Sequence, residues 1–105
     1  MVREKTWQDL IAVADLEVGD VTPVNLGTRE LAVFDARDGV FVSMAHCTHG
    51  AANICDGYFD GTYIECPLHQ GLFDVRDGAA KAAPARVPLR MLKSRVRDGM
   101  VQVLA

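Results

Sequence analysis

Residues 46–75 read HCTHGAANICDGYFDGTYIECPLHQGLFDV, and this stretch decides how the whole chain is read. All three cysteines (Cys47, Cys55, Cys66) and all three histidines (His46, His49, His69) of the 105-residue sequence lie between positions 46 and 69. Within it stand two short boxes, Cys47-Thr48-His49 and Cys66-Pro67-Leu68-His69, separated by residues 50–65. Thiolate and imidazole together suit soft and borderline metals. An odd cysteine count in a chain with no secretory signal argues against a disulfide framework, so metal binding is the better reading. Gly50 follows the first box and Gln70-Gly71 the second. Glycine there allows close backbone approach and leaves N–H groups to donate to sulfur.

The order of the donors narrows the metal. Zinc fingers of the Cys2His2 type pair Cys with Cys and His with His, whereas each box here mixes one of each. Two facing loops of this kind hand one ligand apiece to each of two irons. Cys47 and Cys66 on one iron and His49 and His69 on the other make a [2Fe–2S] centre with mixed ligation. Zinc remains compatible with the same four side chains.

Outside the boxes the chain reads as β structure. Hydrophobic residues make up 50% and charged residues 24%, ordinary values for one globular domain. A chain of this length buries roughly two thirds of its unfolded surface and folds without staples. Asp38-Gly39, Asp56-Gly57, Asp60-Gly61, Asp77-Gly78 and Asp98-Gly99 mark turns between short apolar runs. The expected strands are 7–13, 21–26, 30–36, 40–43, 63–66, 72–75, 89–96 and 100–104. Leu31-Ala32-Val33-Phe34 alternates poorly, as a strand covered on both faces does. Residues 14–19 suggest one helical turn ended by Gly19, and Pro84 and Pro88 bracket a loop. The fold class is therefore all-β, a small sandwich or barrel.

Charge excludes several functions. The formal net charge is −3 and the pI about 5.5. Neither a nucleic-acid footprint nor a polybasic membrane anchor is expected from that balance. No apolar run approaches the ~20 residues that span a bilayer. The start, Met1 to Trp7, is mixed in charge and lacks a signal-peptide core, so the expected location is cytoplasmic.

Cys47-Thr48-His49-Gly50 and Cys66-Pro67-Leu68-His69-Gln70-Gly71-Leu72-Phe73-Asp74-Val75 resemble the two cluster-binding boxes of Rieske proteins. The connector, with Asp56-Gly57-Tyr58-Phe59-Asp60-Gly61 and Ile64-Glu65, resembles that of the small Rieske ferredoxins of bacterial aromatic ring-hydroxylating dioxygenase systems, such as those for naphthalene and biphenyl. The resemblance is densest over 46–75. It implies a single Rieske domain over 1–105: an antiparallel base (1–43 and 77–105) and an inserted cluster-binding subdomain (about 44–76). It implies one [2Fe–2S] cluster held by Cys47, His49, Cys66 and His69, with the Pro84 loop covering it from a third side.

The same resemblance implies a soluble, monomeric one-electron carrier rather than an enzyme. Its expected partners are an NAD(P)H-dependent flavoprotein reductase and a terminal oxygenase. Two alternatives stand beside it: a Rieske-type small subunit of a reductase such as assimilatory nitrite reductase, and a zinc-binding structural domain. Respiratory members carry an extra Cys in each box, where this chain has Ala52 and Leu68, so their inter-loop disulfide is not expected. They also carry hydroxyl groups where this chain has Gly71 and Phe73. Fewer hydrogen bonds to sulfur lower the potential, toward about −150 mV. Exposed imidazole ligands imply a potential that falls at high pH.

Other residues take plainer readings. His46 has no slot in the motif and reads as a surface residue. Cys55 reads as a buried structural thiol. Asp56, Asp60 and Glu65 read as solvated turn residues, with an acidic docking surface as the sharper option. Tyr58, Phe59 and Trp7 read as core.

Overall fold

The computed structural model describes residues 4–48, 52–67, 71–83 and 85–105. Its strands are β1 (Trp7–Ala12), β2 (Val21–Leu26), β3 (Arg29–Ala36), β4 (Gly39–Met44), β5 (Tyr58–Phe59), β6 (Tyr63–Glu65), β7 (Leu72–Asp74), β8 (Ala80–Ala82), β9 (Met91–Leu92), β10 (Ser94–Arg97) and β11 (Met100–Leu104). They form three antiparallel sheets, ordered β1-β11-β10, β2-β3-β4-β9 and β5-β6-β7-β8. Helix among the described residues is limited to single 3-10 turns at Val13–Asp15 and Ile54–Asp56. No helix among them is long and apolar enough to cross a membrane.

Strand β3 explains the layering. Leu31, Ala32, Val33 and Phe34 are all completely buried. Alternate residues of a strand point to opposite faces. Leu31 and Val33 pack with Val42, Val101 and Val103. Ala32 and Phe34 pack instead with Ile54, Phe59, Ile64 and Phe73. The sheet therefore carries a core on each face, and a polar alternate would have had no water to reach. Each fully buried Leu, Val, Ile or Phe side chain among these contributes about 1.5–3 kcal/mol. Phe34 also meets Phe59 at 5.3 Å between ring centroids, tilted by 57°, a favourable aromatic geometry.

The turns follow their residues. β10 and β11 are joined by Asp98 and Gly99, both at positive φ (52° and 77°), the mirror-image turn that suits strand twist. On β11, Val101 and Val103 are fully buried, while Gln102 points outward to accept from Arg95 and donate to Asp9.

Several expectations need correction. Strand 89–96 is broken into β9 and β10, because β9 pairs with β4 whereas β10 pairs with β11. The chain changes sheets at Lys93, whose carbonyl accepts from Leu104. The brief β5 and β8 were unexpected: they are held by pairing with β6 and β7 rather than by their own propensity. The 3-10 turn lies at 13–15 instead of 14–19, although Gly19 does take positive φ. Trp7 is not core. It is half-buried and outside both core clusters, with the Arg95 guanidinium 4.0 Å above its ring. Tyr58 is 70% exposed, because on β5 only Phe59 faces inward.

Candidate metal centre

Both cysteine boxes open from antiparallel ladders. After β4 the chain makes the pair His46↔Asn53, and Ile54 N–H donates to the Ala45 carbonyl. Inside that pair, Cys47 N–H donates to the Ala52 carbonyl at 2.9 Å. The second box leaves β6 and returns as β7, and there Cys66 N–H donates to the Gly71 carbonyl at 2.7 Å. Each cysteine thus stands at the first position of a loop closed by its own amide, with the same five-residue span in both.

The two thiols share one environment. Cys47 is 5% exposed and Cys66 is 1% exposed. Both belong to the core that contains Phe73, Ile54, Ala85 and Leu89. His49 and His69 lie outside the described residues, as do Gly50, Leu68, Gln70 and Pro84. Among the described residues no three Cys, His, Asp or Glu side chains gather as a metal site. The donors fit a two-iron cluster: two buried thiols, each opening a loop whose sequence supplies one imidazole.

A third segment is tied to the first box. Thr48 Oγ1 donates to the Val87 carbonyl at 2.6 Å. Met44 N–H donates to the Arg90 carbonyl, and Leu89 N–H to that of Gly78. Between these ties Ala85 and Leu89 are buried against the cysteines, while Val87 is exposed. A loop was expected here from its prolines, and the structure places its flank beside Cys47.

The remaining candidates separate. His46 is a surface residue, as expected, its Nε2 lying 3.1 Å from Glu30 Oε2. Cys55 is half-buried, not fully buried, and packs on the edge of the same core. Burial, with Asp56 and Glu30 nearby, pushes its thiol up to about 11, so it stays protonated at neutral pH. Asp60 builds a turn: its Oδ1 accepts from Thr62 and Tyr63 N–H, and these bonds hold its carboxyl below the usual range.

Two contacts had not been foreseen. Asp74, almost completely buried, accepts two side-chain bonds from Arg76 (2.8 and 3.0 Å), and Arg76 also reaches Asp38 at 3.1 Å. These bonds hold the Asp74 carboxyl below its usual range. The link fastens the third sheet to the β3–β4 turn. Its only trace in the sequence is an Asp two residues before an Arg, which is too common to single out. Gly57 is the other: a Cβ there would run into the Glu65 carbonyl on β6. Its φ is an ordinary −83°, so the requirement is space, not conformation.

Comparison with known proteins agrees with this geometry. The family model described as Rieske [2Fe-2S] domain matches residues 6–94. The ferredoxin component of the naphthalene 1,2-dioxygenase system of Pseudomonas putida is 36% identical over 97 residues, covering 92% of this chain and 93% of that protein. The solved ferredoxin of Sphingomonas yanoikuyae B1 is 40% identical, with a TM-score of 0.88 over 95% of this chain and 99% of that one. The solved complex of reduced oxygenase and oxidized ferredoxin in carbazole 1,9a-dioxygenase contains a chain that is 36% identical, with a TM-score of 0.84 over 93% of this chain and 92% of that one.

Proposed function

This chain belongs to the Rieske [2Fe–2S] domain family, and we propose that within it the protein is the one-electron carrier of an aromatic ring-hydroxylating dioxygenase system. The observation that carries this reading is similarity along nearly its whole length to a named ferredoxin component, with neither chain much longer than the other. A carrier needs one redox group and a route to two partners. A chain of 105 residues built around one pair of cysteine boxes is suited to that.

In this reading Cys47 and Cys66 hold one iron and His49 and His69 the other. The cluster supplies a site that accepts and returns one electron. The protein's own residues keep that site dry and fixed. Ala85, Leu89 and Phe73 fill the space around the thiols, and the amides of Cys47 and Cys66 lock each loop at its base. The cluster-binding subdomain is residues 44–76, and 1–43 with 77–105 form the base. Electrons come from an NAD(P)H-dependent flavoprotein reductase and pass to a terminal oxygenase. The carrier is monomeric and cytoplasmic.

The test is a dithionite titration of the purified protein, followed optically, with size-exclusion chromatography alongside. One electron per chain and a monomeric elution volume are expected. Uptake of no electrons, or isolation only as a fixed part of a larger enzyme, overturns the reading.

A further inference from the structure

Charge is unevenly placed along this chain. Residues 78–97 hold six of the eleven Lys and Arg (Lys81, Arg86, Arg90, Lys93, Arg95, Arg97) and none of the fourteen Asp and Glu. The formal charge is +6 there and −9 over the remainder, so the net −3 conceals two opposed regions.

The fold brings the middle of the basic segment to the first cysteine box. Arg90 lines a small hollow with Met44, His46, Cys47 and Thr48. Val87 is fastened to Thr48 through its carbonyl, and Arg86 precedes it. Arg86, Val87 and Arg90 are all exposed. Among the described residues neither arginine forms an ion pair: the pairs present are His46–Glu30 and those of Arg76 with Asp38 and Asp74. Glu30, which pairs with the box-flanking His46, is thus already engaged. Two guanidinium groups without an ion-pair partner among the described residues flank the exposed Val87, and arginine is enriched at protein contacts.

We propose that Arg86, Val87 and Arg90 form a basic docking edge beside the first cysteine box, fitted to an electron-transfer partner protein with an acidic rim. The proposal rests on the carrier reading and adds the chemistry of the partner's surface. Charges at a contact edge act chiefly on encounter rate and on the choice of partner, within a Debye length of about 10 Å at 0.1 M salt. The local field at Arg86 and Arg90 therefore decides the partner, although the net charge of the chain has the opposite sign.

The experiment compares two protein acceptors of opposite charge, acidic cytochrome b5 and basic cytochrome c. The dithionite-reduced protein, freed of excess reductant, is mixed with each at low ionic strength. One electron leaves the carrier and one acceptor haem iron goes from ferric to ferrous. Arg86→Glu/Arg90→Glu is compared with Lys93→Glu/Arg97→Glu, which changes the net charge equally but away from the edge. Arg86→Gln/Arg90→Gln serves as the milder pair should the reversal disturb folding.

The unsubstituted protein is expected to reduce the acidic acceptor faster, with a rate that falls as salt rises. Arg86→Glu/Arg90→Glu lowers that rate at least tenfold, and the distant pair changes it less than threefold. Equal effects of the two pairs, or a preference of the unsubstituted protein for the basic acceptor, overturn the docking edge while leaving the carrier reading intact. A colourless protein that reduces neither acceptor overturns the carrier reading and the docking edge together.

Discussion

Thr48 Oγ1 donates to the Val87 carbonyl at 2.6 Å and so fastens the first cysteine box to the segment that closes over it. Ala85 and Leu89, on either side of Val87, belong to the same core as Cys47. A neutral hydrogen bond of this kind contributes about 1 kcal/mol. Thr48→Val keeps the shape and removes the donor. The variant is expected to unfold about 1 kcal/mol more easily and to lose its visible absorbance severalfold faster in the presence of a chelator. Bleaching kinetics check this, and an unchanged rate would show that the bond does not hold the segment closed.

Gly57 supports the third sheet by being small. Its place between the 3-10 turn and β5 brings it against the Glu65 carbonyl. Gly57→Ala must push β5 away from β6, where Tyr58 pairs with Glu65. Such overpacking costs about 1–3 kcal/mol. Denaturant unfolding is expected to show a lower midpoint with an unchanged slope. A neutral or stabilising result would mean that the pairing gives way freely.

Asp74 makes stability depend on pH in a definite direction. Its two bonds from Arg76 lower the folded-state pKa below the unfolded value of about 3.9. The stabilisation is fully present above that unfolded value and is lost as pH falls through the folded one. Asp74→Asn is expected to cost about 2 kcal/mol near neutrality, the range for a hydrogen bond to a charged group. The gap between the two proteins should then close as pH drops below about 4. A gap independent of pH would assign the effect to packing instead.

The residues around the thiols also set a potential. Phe73 is completely buried in the core that holds Cys47 and Cys66, and its ring has no hydroxyl to offer. Gly71, at the other end of the second loop, has none either. With fewer donors to sulfur, a midpoint near the low end of the Rieske range, about −150 mV, is expected from spectroelectrochemistry. A midpoint near about +300 mV, the top of that range, would contradict this account of the site.

Much of this was legible in the sequence. The boxes stood out because metal chemistry restricts both residue type and spacing. β2, β3 and β11 were legible because burial on one or both faces leaves a pattern in consecutive side chains. What escaped notice depended on partners distant in the chain. Ala80–Ala82 becomes a strand only because β7 lies beside it. Trp7 looks like core by composition, yet it is only half-buried, with Arg95 of β10 covering its ring. The Thr48–Val87 bond spans 39 positions and involves a backbone carbonyl, which no side-chain pattern can announce.

The most direct test of the central claim is the EPR spectrum of the dithionite-reduced protein, taken after its visible spectrum has been recorded in air. A red-brown protein that gains a rhombic signal with a low average g value is expected, because one iron carries two imidazoles and the other two thiolates. A colourless, EPR-silent protein containing stoichiometric zinc would contradict the account.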